Sequence, residues 1–233
     1  MRIDDTIRAA RLAALCLLGG IAVLPSQGAN QAGEYAVVKQ GLAPNRQFSI
    51  AGHSAGDQLY DRDSLYLLAE PGHRKIGPLE EARIGLNTSY ESYRALWSTD
   101  SRHVAAVYND SHTATFVLYR IEHRRAFPVA GPVLWEQITA RIPGARAAGA
   151  DPRRAFRELT WLSPTRFRLT EQRYYEADKP DLGRSLGRFG KAVRSEETIP
   201  GTAYAIQFSA EAICELVAGD RYRIVSLKPG AFD

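Results

Sequence analysis

Residues 97–129, WSTDSRHVAAVYNDSHTATFVLYRIEHRRAFPV, read as three strands in series. Residues 103–109 are β-rich, and 115–121 follow the same polar and apolar pattern with Phe116, Leu118 and Ile121 as apolar positions. Asn109, Asp110, Ser111 and His112 between them mark a hairpin turn. Glu122, His123, Arg124 and Arg125 make a second turn. Residues 126–129 then begin a third strand, which Pro128 confines to an edge or an end. Three antiparallel strands in series form a meander.

The lead-in Trp97-Ser98-Thr99-Asp100-Ser101-Arg102, followed by His103-Val104-Ala105, resembles the W-S-P-D-G-R-x-(V/I)-A turn and strand of TolB-type β-propeller repeats. WD40 blades are a more distant likeness. Thr99 stands where those repeats have proline, and Ser101 where they have the glycine of positive φ. The resemblance implies a blade-like meander with Trp97 buried and the polar turn exposed.

Two other stretches repeat parts of this pattern. A short strand at 35–38 and a turn at 41–46 precede Gln47-Phe48-Ser49-Ile50, which alternates; strands at 64–69 and 75–79 flank the turn Glu70-Pro71-Gly72-His73. A third lead-in is Trp161-Leu162-Ser163-Pro164-Thr165-Arg166. From Pro44 to Asp100 is 56 residues and from Asp100 to Pro164 is 64, so the repeats are irregular and exceed the roughly 40 to 50 residues of common blades. Leu134, Trp135, Ile138 and Ile142 recur at helical spacing before Pro143-Gly144, which predicts an amphipathic helix near 132–142 capping the sheet core. Strands at 203–208, 212–217 and 222–227 close the chain, the last two as a hairpin. The expectation is a mainly β, antiparallel fold of propeller-like meanders, a partial propeller or a sandwich, with one amphipathic helix. It is a single domain over 29–233 with repeats near 35–79, 97–129 and 157–227.

The chain has 233 residues and a formal charge of +4, with its arginines spread among acids. That length buries a sizeable core without staples, and the charge shows no nucleic-acid signature. Arg2, Arg8 and Arg11 precede an apolar run of thirteen residues, 12–24, and then Pro25, Ser26, Gln27 and Gly28. This is the layout of a secretory signal peptide cleaved after Gly28, and the run falls short of the ~20 residues that span a bilayer. Cys16 leaves with that segment, so Cys214 has no partner in its own chain and reads as a small buried hydrophobe. Localisation is expected to be periplasmic or secreted.

Gly52-His53-Ser54-Ala55-Gly56 is a G-x-S-x-G and resembles the nucleophile elbow of α/β-hydrolases. That likeness implies Ser54 as nucleophile, Asp100 or Asp110 as acid and His112 or His123 as base. The context argues otherwise. The preceding strand alternates instead of running apolar, QLYDRDS behind it has no helical period, and 23 residues after the cleavage point are too few for the upstream βα units. The five histidines His53, His73, His103, His112 and His123 are scattered, and Asp57, Asp61 and Asp63 lack the glycine of an EF-hand loop. No metal or cofactor is expected. Residues 178–195 form a Gly-, Lys- and Arg-rich loop in which Arg184, Arg188, Lys191 and Arg194 suit an anionic ligand or a solvated, disordered role.

Three functions from different classes follow. An exported envelope protein acting as a non-enzymatic binding or scaffold module stands first, because loops on repeat meanders present surfaces. A serine hydrolase using Ser54, with Asp110 and His112, is the second. A structural subunit that completes its sheet with a partner is the third. The partner classes are an envelope protein or an anionic ligand, without nucleic acid and without a stable membrane span after cleavage.

Overall fold

The computed structural model describes residues 34–53, 65–80, 90–145, 151–194 and 204–232. The expected signal segment, residues 1–28, and Ser54 lie outside the described residues. Three four-stranded meanders make up the fold. β1 (Tyr35–Leu42), β2 (Phe48–His53), β3 (Tyr66–Ala69) and β4 (Arg74–Pro78) form the first. β5 (Tyr93–Trp97), β6 (His103–Asn109), β7 (Thr113–Glu122) and β8 (Arg125–Val129) form the second. β9 (Arg154–Ser163), β10 (Arg166–Ala177), β12 (Tyr204–Val217) and β13 (Arg221–Pro229) form the third, and β11 (Gly190–Arg194) adds to β12.

Within meanders every pairing is antiparallel, but the junctions between them are parallel. β1 meets β5 at Lys39 and Arg94, and β7 meets β9 at Thr113 and Ala114 with Ala155 and Phe156. The result is one mixed sheet of 13 strands in the order β11-β12-β10-β9-β7-β6-β5-β1-β2-β3-β4, with β8 on β7 and β13 on β12. The expected all-antiparallel arrangement is corrected by these junctions. Each new meander begins after a connection long enough for a crossover, which is what parallel pairing needs. The sheet is open, and the described strands show no propeller ring. One isolated bridge, Ala130 with Arg221, ties the end of β8 to the start of β13. The Arg120 guanidinium grips both oxygens of Asp220 beside it.

The first two lead-in turns share one hydrogen-bond pattern. Ala43 N–H donates to Phe48 O and Arg46 N–H to Ala43 O, both at 2.9 Å; Ser98 N–H donates to His103 O at 2.8 Å and Ser101 N–H to Ser98 O at 2.9 Å. Asn45 Oδ1 accepts from Gln47 N–H as Asp100 Oδ1 accepts from Arg102 N–H. Arg46 (φ 57) and Ser101 (φ 59) take the left-handed conformation without being glycine. The tryptophans repeat as well. Trp97 Nε1 donates to Gly41 O at 2.9 Å, and Trp161 Nε1 donates to Leu96 O at 2.8 Å, so each indole ties its meander to the one before. Trp97 is therefore only half-buried at the end of β5, a correction to its expected core position.

β6 and β7 carry core on both faces. Val104, Ala106, Tyr119 and Ile121 join Val38, Ile50 and Leu67 on one side. Ala105, Val107, Phe116 and Leu118 join Leu159, Phe167, Leu169, Ile206 and Phe208 on the other. Alternation explains the split, since successive residues of a strand point to opposite faces. α1 (Leu134–Thr139) is shorter than the expected helix but buries Leu134 and Trp135 in the second cluster. Where two strands were expected, β12 runs unbroken for 14 residues. Ser209, which looks like a break, is buried under the chain's end, and a Cβ on Gly230 would stand 2.3 Å from its Oγ.

Candidate binding surfaces of the third meander

The register of β9 and β10 sets Arg154 opposite Tyr174, Phe156 opposite Gln172 and Glu158 opposite Thr170. All six belong to the outward set, and together they line a groove of about 500 Å³. The Phe156 and Tyr174 rings meet nearly edge to face, 6.1 Å between centroids. Gln172 Nε2 donates to Ala231 O at 3.4 Å, so the end of the chain passes alongside. Glu158 is 3.9 Å from Arg94. Aromatic surface, two neutral hydrogen-bonding side chains and one charge of each sign converge on one open face. Sequence reading did not locate it, although RAFRE and TEQRY carry the alternation that puts these residues on one face.

The opposite face of the same strands holds a buried carboxylate. Glu171 is fully buried, and its Oε2 accepts from Leu134 N–H at 3.0 Å and Trp135 N–H at 3.3 Å. Its Oε1 accepts from Arg173 Nε at 2.9 Å, and Arg157 Nε lies 3.8 Å from Oε2. The Arg173 guanidinium covers the Trp135 ring, and that of Arg157 covers Phe116. One carboxylate thus caps the first turn of α1 and neutralises two inward arginines. A glutamate among the apolar positions Phe167, Leu169 and Tyr175 was the available signal.

The basic stretch is folded, which corrects its reading as a loop. α2 (Asp181–Ser185), a 3-10 turn (Gly187–Phe189) and β11 pack onto the sheet edge, with Leu186 buried and Ala192 against Gly183. Arg184, Arg188, Lys191 and Arg194 are all exposed. None of the four has an acidic group within 4.0 Å among the described residues, and Arg188 lies over the Phe189 ring. Glycines and charges disguised the segment, because an edge strand needs one apolar face only.

The residues proposed for hydrolysis are placed differently. Asp110 Oδ1 accepts from His112 N–H at 2.7 Å and Thr113 N–H at 2.6 Å, while its Oδ2 accepts from the Tyr108 hydroxyl at 2.7 Å. These bonds, the His112 amide first, hold the Asp110 carboxyl below its ordinary range. The His112 ring instead meets Ser111 Oγ at 2.8 Å. Asp110 therefore closes the β6–β7 hairpin through the backbone and does not orient the His112 imidazole. Glu70 forms a separate hub, in which Ser49 Oγ donates to its Oε1 at 2.6 Å and His73 Nδ1 lies 2.6 Å from the same oxygen. The carboxylate sits between serine and histidine, so the two do not face each other as a nucleophile and base must. Cys214 is a free, buried thiol pushed up to about 12 by burial. No group of three metal-ligating side chains occurs among the described residues. Compared with known proteins, the chain matches no family model and no curated relative.

Proposed function

We propose that the chain is an exported, non-enzymatic binding or scaffold module of the cell envelope, with the outward groove of β9 and β10 as its binding face. The observation that carries this reading is the convergence of Arg154, Phe156, Glu158, Thr170, Gln172 and Tyr174 on one open groove. The layout of residues 1–28 supports export to the periplasm or beyond. Among the described residues no helix is long and apolar enough to cross a membrane. The two matching lead-in turns and the two tryptophan ties support kinship with TolB-type blade repeats, arranged here as an open array. β2, which leads into GHSAG, is antiparallel to both β1 and β3, and this favours binding over an elbow on a parallel strand.

A photo-crosslinking residue placed at Gln172 in the mature chain, and in parallel at exposed Thr99, tests the reading in intact cells. An adduct specific to position 172 is expected in the envelope fraction. Retention of unprocessed chain in the cytosol, or identical adducts from both positions, would sink it. Stoichiometric fluorophosphonate labelling at Ser54 would put the hydrolase first.

A further inference from the structure

The sheet ends at β11, and we infer that this end is a docking edge for an extended acidic segment of a partner protein, added as one more strand. One side of β11 is taken by β12, from Gly190 opposite Phe208 to Arg194 opposite Tyr204. No strand pairs with its other side among the described residues, which leaves a row of backbone donors and acceptors open to an added strand. α2 packs its Gly183 against Ala192, on the side of β11 opposite to Lys191 and Val193.

Charge selects the occupant. Several basic side chains of the third meander are matched, Arg153 with Glu176, Arg168 and Lys228 with Glu211, Arg223 with Glu215, and Arg173 with Glu171, while the exposed Arg154, Arg166 and Arg221 are scattered over three strands. Arg184, Arg188, Lys191 and Arg194 are exposed, have no acid within 4.0 Å among the described residues, and gather around one edge strand. A second copy of this edge would set like charges against each other, so the cations disfavour self-pairing and favour an acidic strand. Lys191 and Val193 share the outward face, and Val193 is 46 % exposed. The matching strand therefore carries an acidic and an apolar side chain two positions apart, on the face that meets Lys191 and Val193. The edge is separated from the groove by β12 and does not depend on the groove's function.

Anisotropy of a short fluorescein-labelled peptide in which glutamate and valine take turns along one strand face, with threonine on the other, titrated with the mature chain, tests this, together with amide hydrogen exchange. Saturable binding that weakens as salt rises, and slowed exchange in β11, are expected. Lys191→Glu combined with Arg194→Glu should weaken binding roughly tenfold or more. Val193→Glu, a single change at an exposed site, should weaken it too, whereas Gln172→Ala should leave it unchanged. Equal binding of polyglutamate or heparin without slowed exchange would overturn the inference in favour of ionic attraction alone. Absence of peptide binding would overturn it as well. Slowed exchange in β11 that tracks dimerisation in sedimentation would replace the acidic partner with a second copy.

Discussion

At the scale of single residues, the polar anchors decide more than the apolar ones. Trp97 is half-buried and donates to Gly41 O, so Trp97→Ala should cost about 2 kcal/mol, less than a fully buried tryptophan. Urea unfolding at neutral pH measures it. Glu171→Gln removes the charge that balances Arg157 and Arg173 and weakens the cap on α1. A loss of about 3 kcal/mol is expected in the same measurement, since it leaves inward cations uncompensated. His103 is held below its ordinary 6.5, chiefly by burial, with Asp100 acting in the opposite sense. Below about pH 6.5 the unfolded chain then binds a proton that the folded chain resists, so stability falls with pH until the lowered folded value is reached. His103→Gln should flatten that slope when unfolding midpoints are compared from pH 7.5 down to 5, on the order of that window.

Turns are where the element scale becomes testable. Arg46 and Ser101 occupy the same left-handed position in matching turns, but only Ser101 has a second task, accepting Asn45 N–H on its Oγ at 3.0 Å. Arg46→Gly should therefore stabilise the protein by about 0.5 to 1 kcal/mol through relief of the left-handed strain. Ser101→Gly should gain less or lose, because the Asn45 amide gives up its partner. Thermal melts of the two variants separate these effects, and an equal gain from both would show that the Ser101 hydroxyl contributes nothing.

For the molecule as a whole, β6 links two cores that lie on opposite faces of the sheet. Val104 belongs to the cluster of the first meander, and Val107 to that of the third. Their truncations should thus act on one cooperative transition. Val104→Ala and Val107→Ala are each expected to lower stability by about 2 kcal/mol while fluorescence and circular dichroism continue to report a single coincident unfolding curve. Two separated transitions would mean that the meanders unfold independently.

Much of the local structure is legible in the sequence. Strand β6 coincides with residues 103–109, and the turns around Asp110, His123 and Gly219 stand where polar residues interrupt apolar alternation. β11 was hidden because its short apolar face is filled by Gly190 and Ala192, against which α2 packs. β5 was missed for a related reason, five residues with an arginine in their midst. The groove and the Glu171 cap were out of reach in a stronger sense. Alternation fixes which residues share a face of one strand, but not which neighbouring strand lies alongside or in what register. Alternation along the chain specified most of the strands and turns, and the side each of their residues takes. Only tertiary pairing of β9 with β10 made Phe156 and Gln172 neighbours, and only the packing of α1 under β10 brought a helix start to the carboxylate of Glu171, because both depend on contacts between segments far apart in the chain.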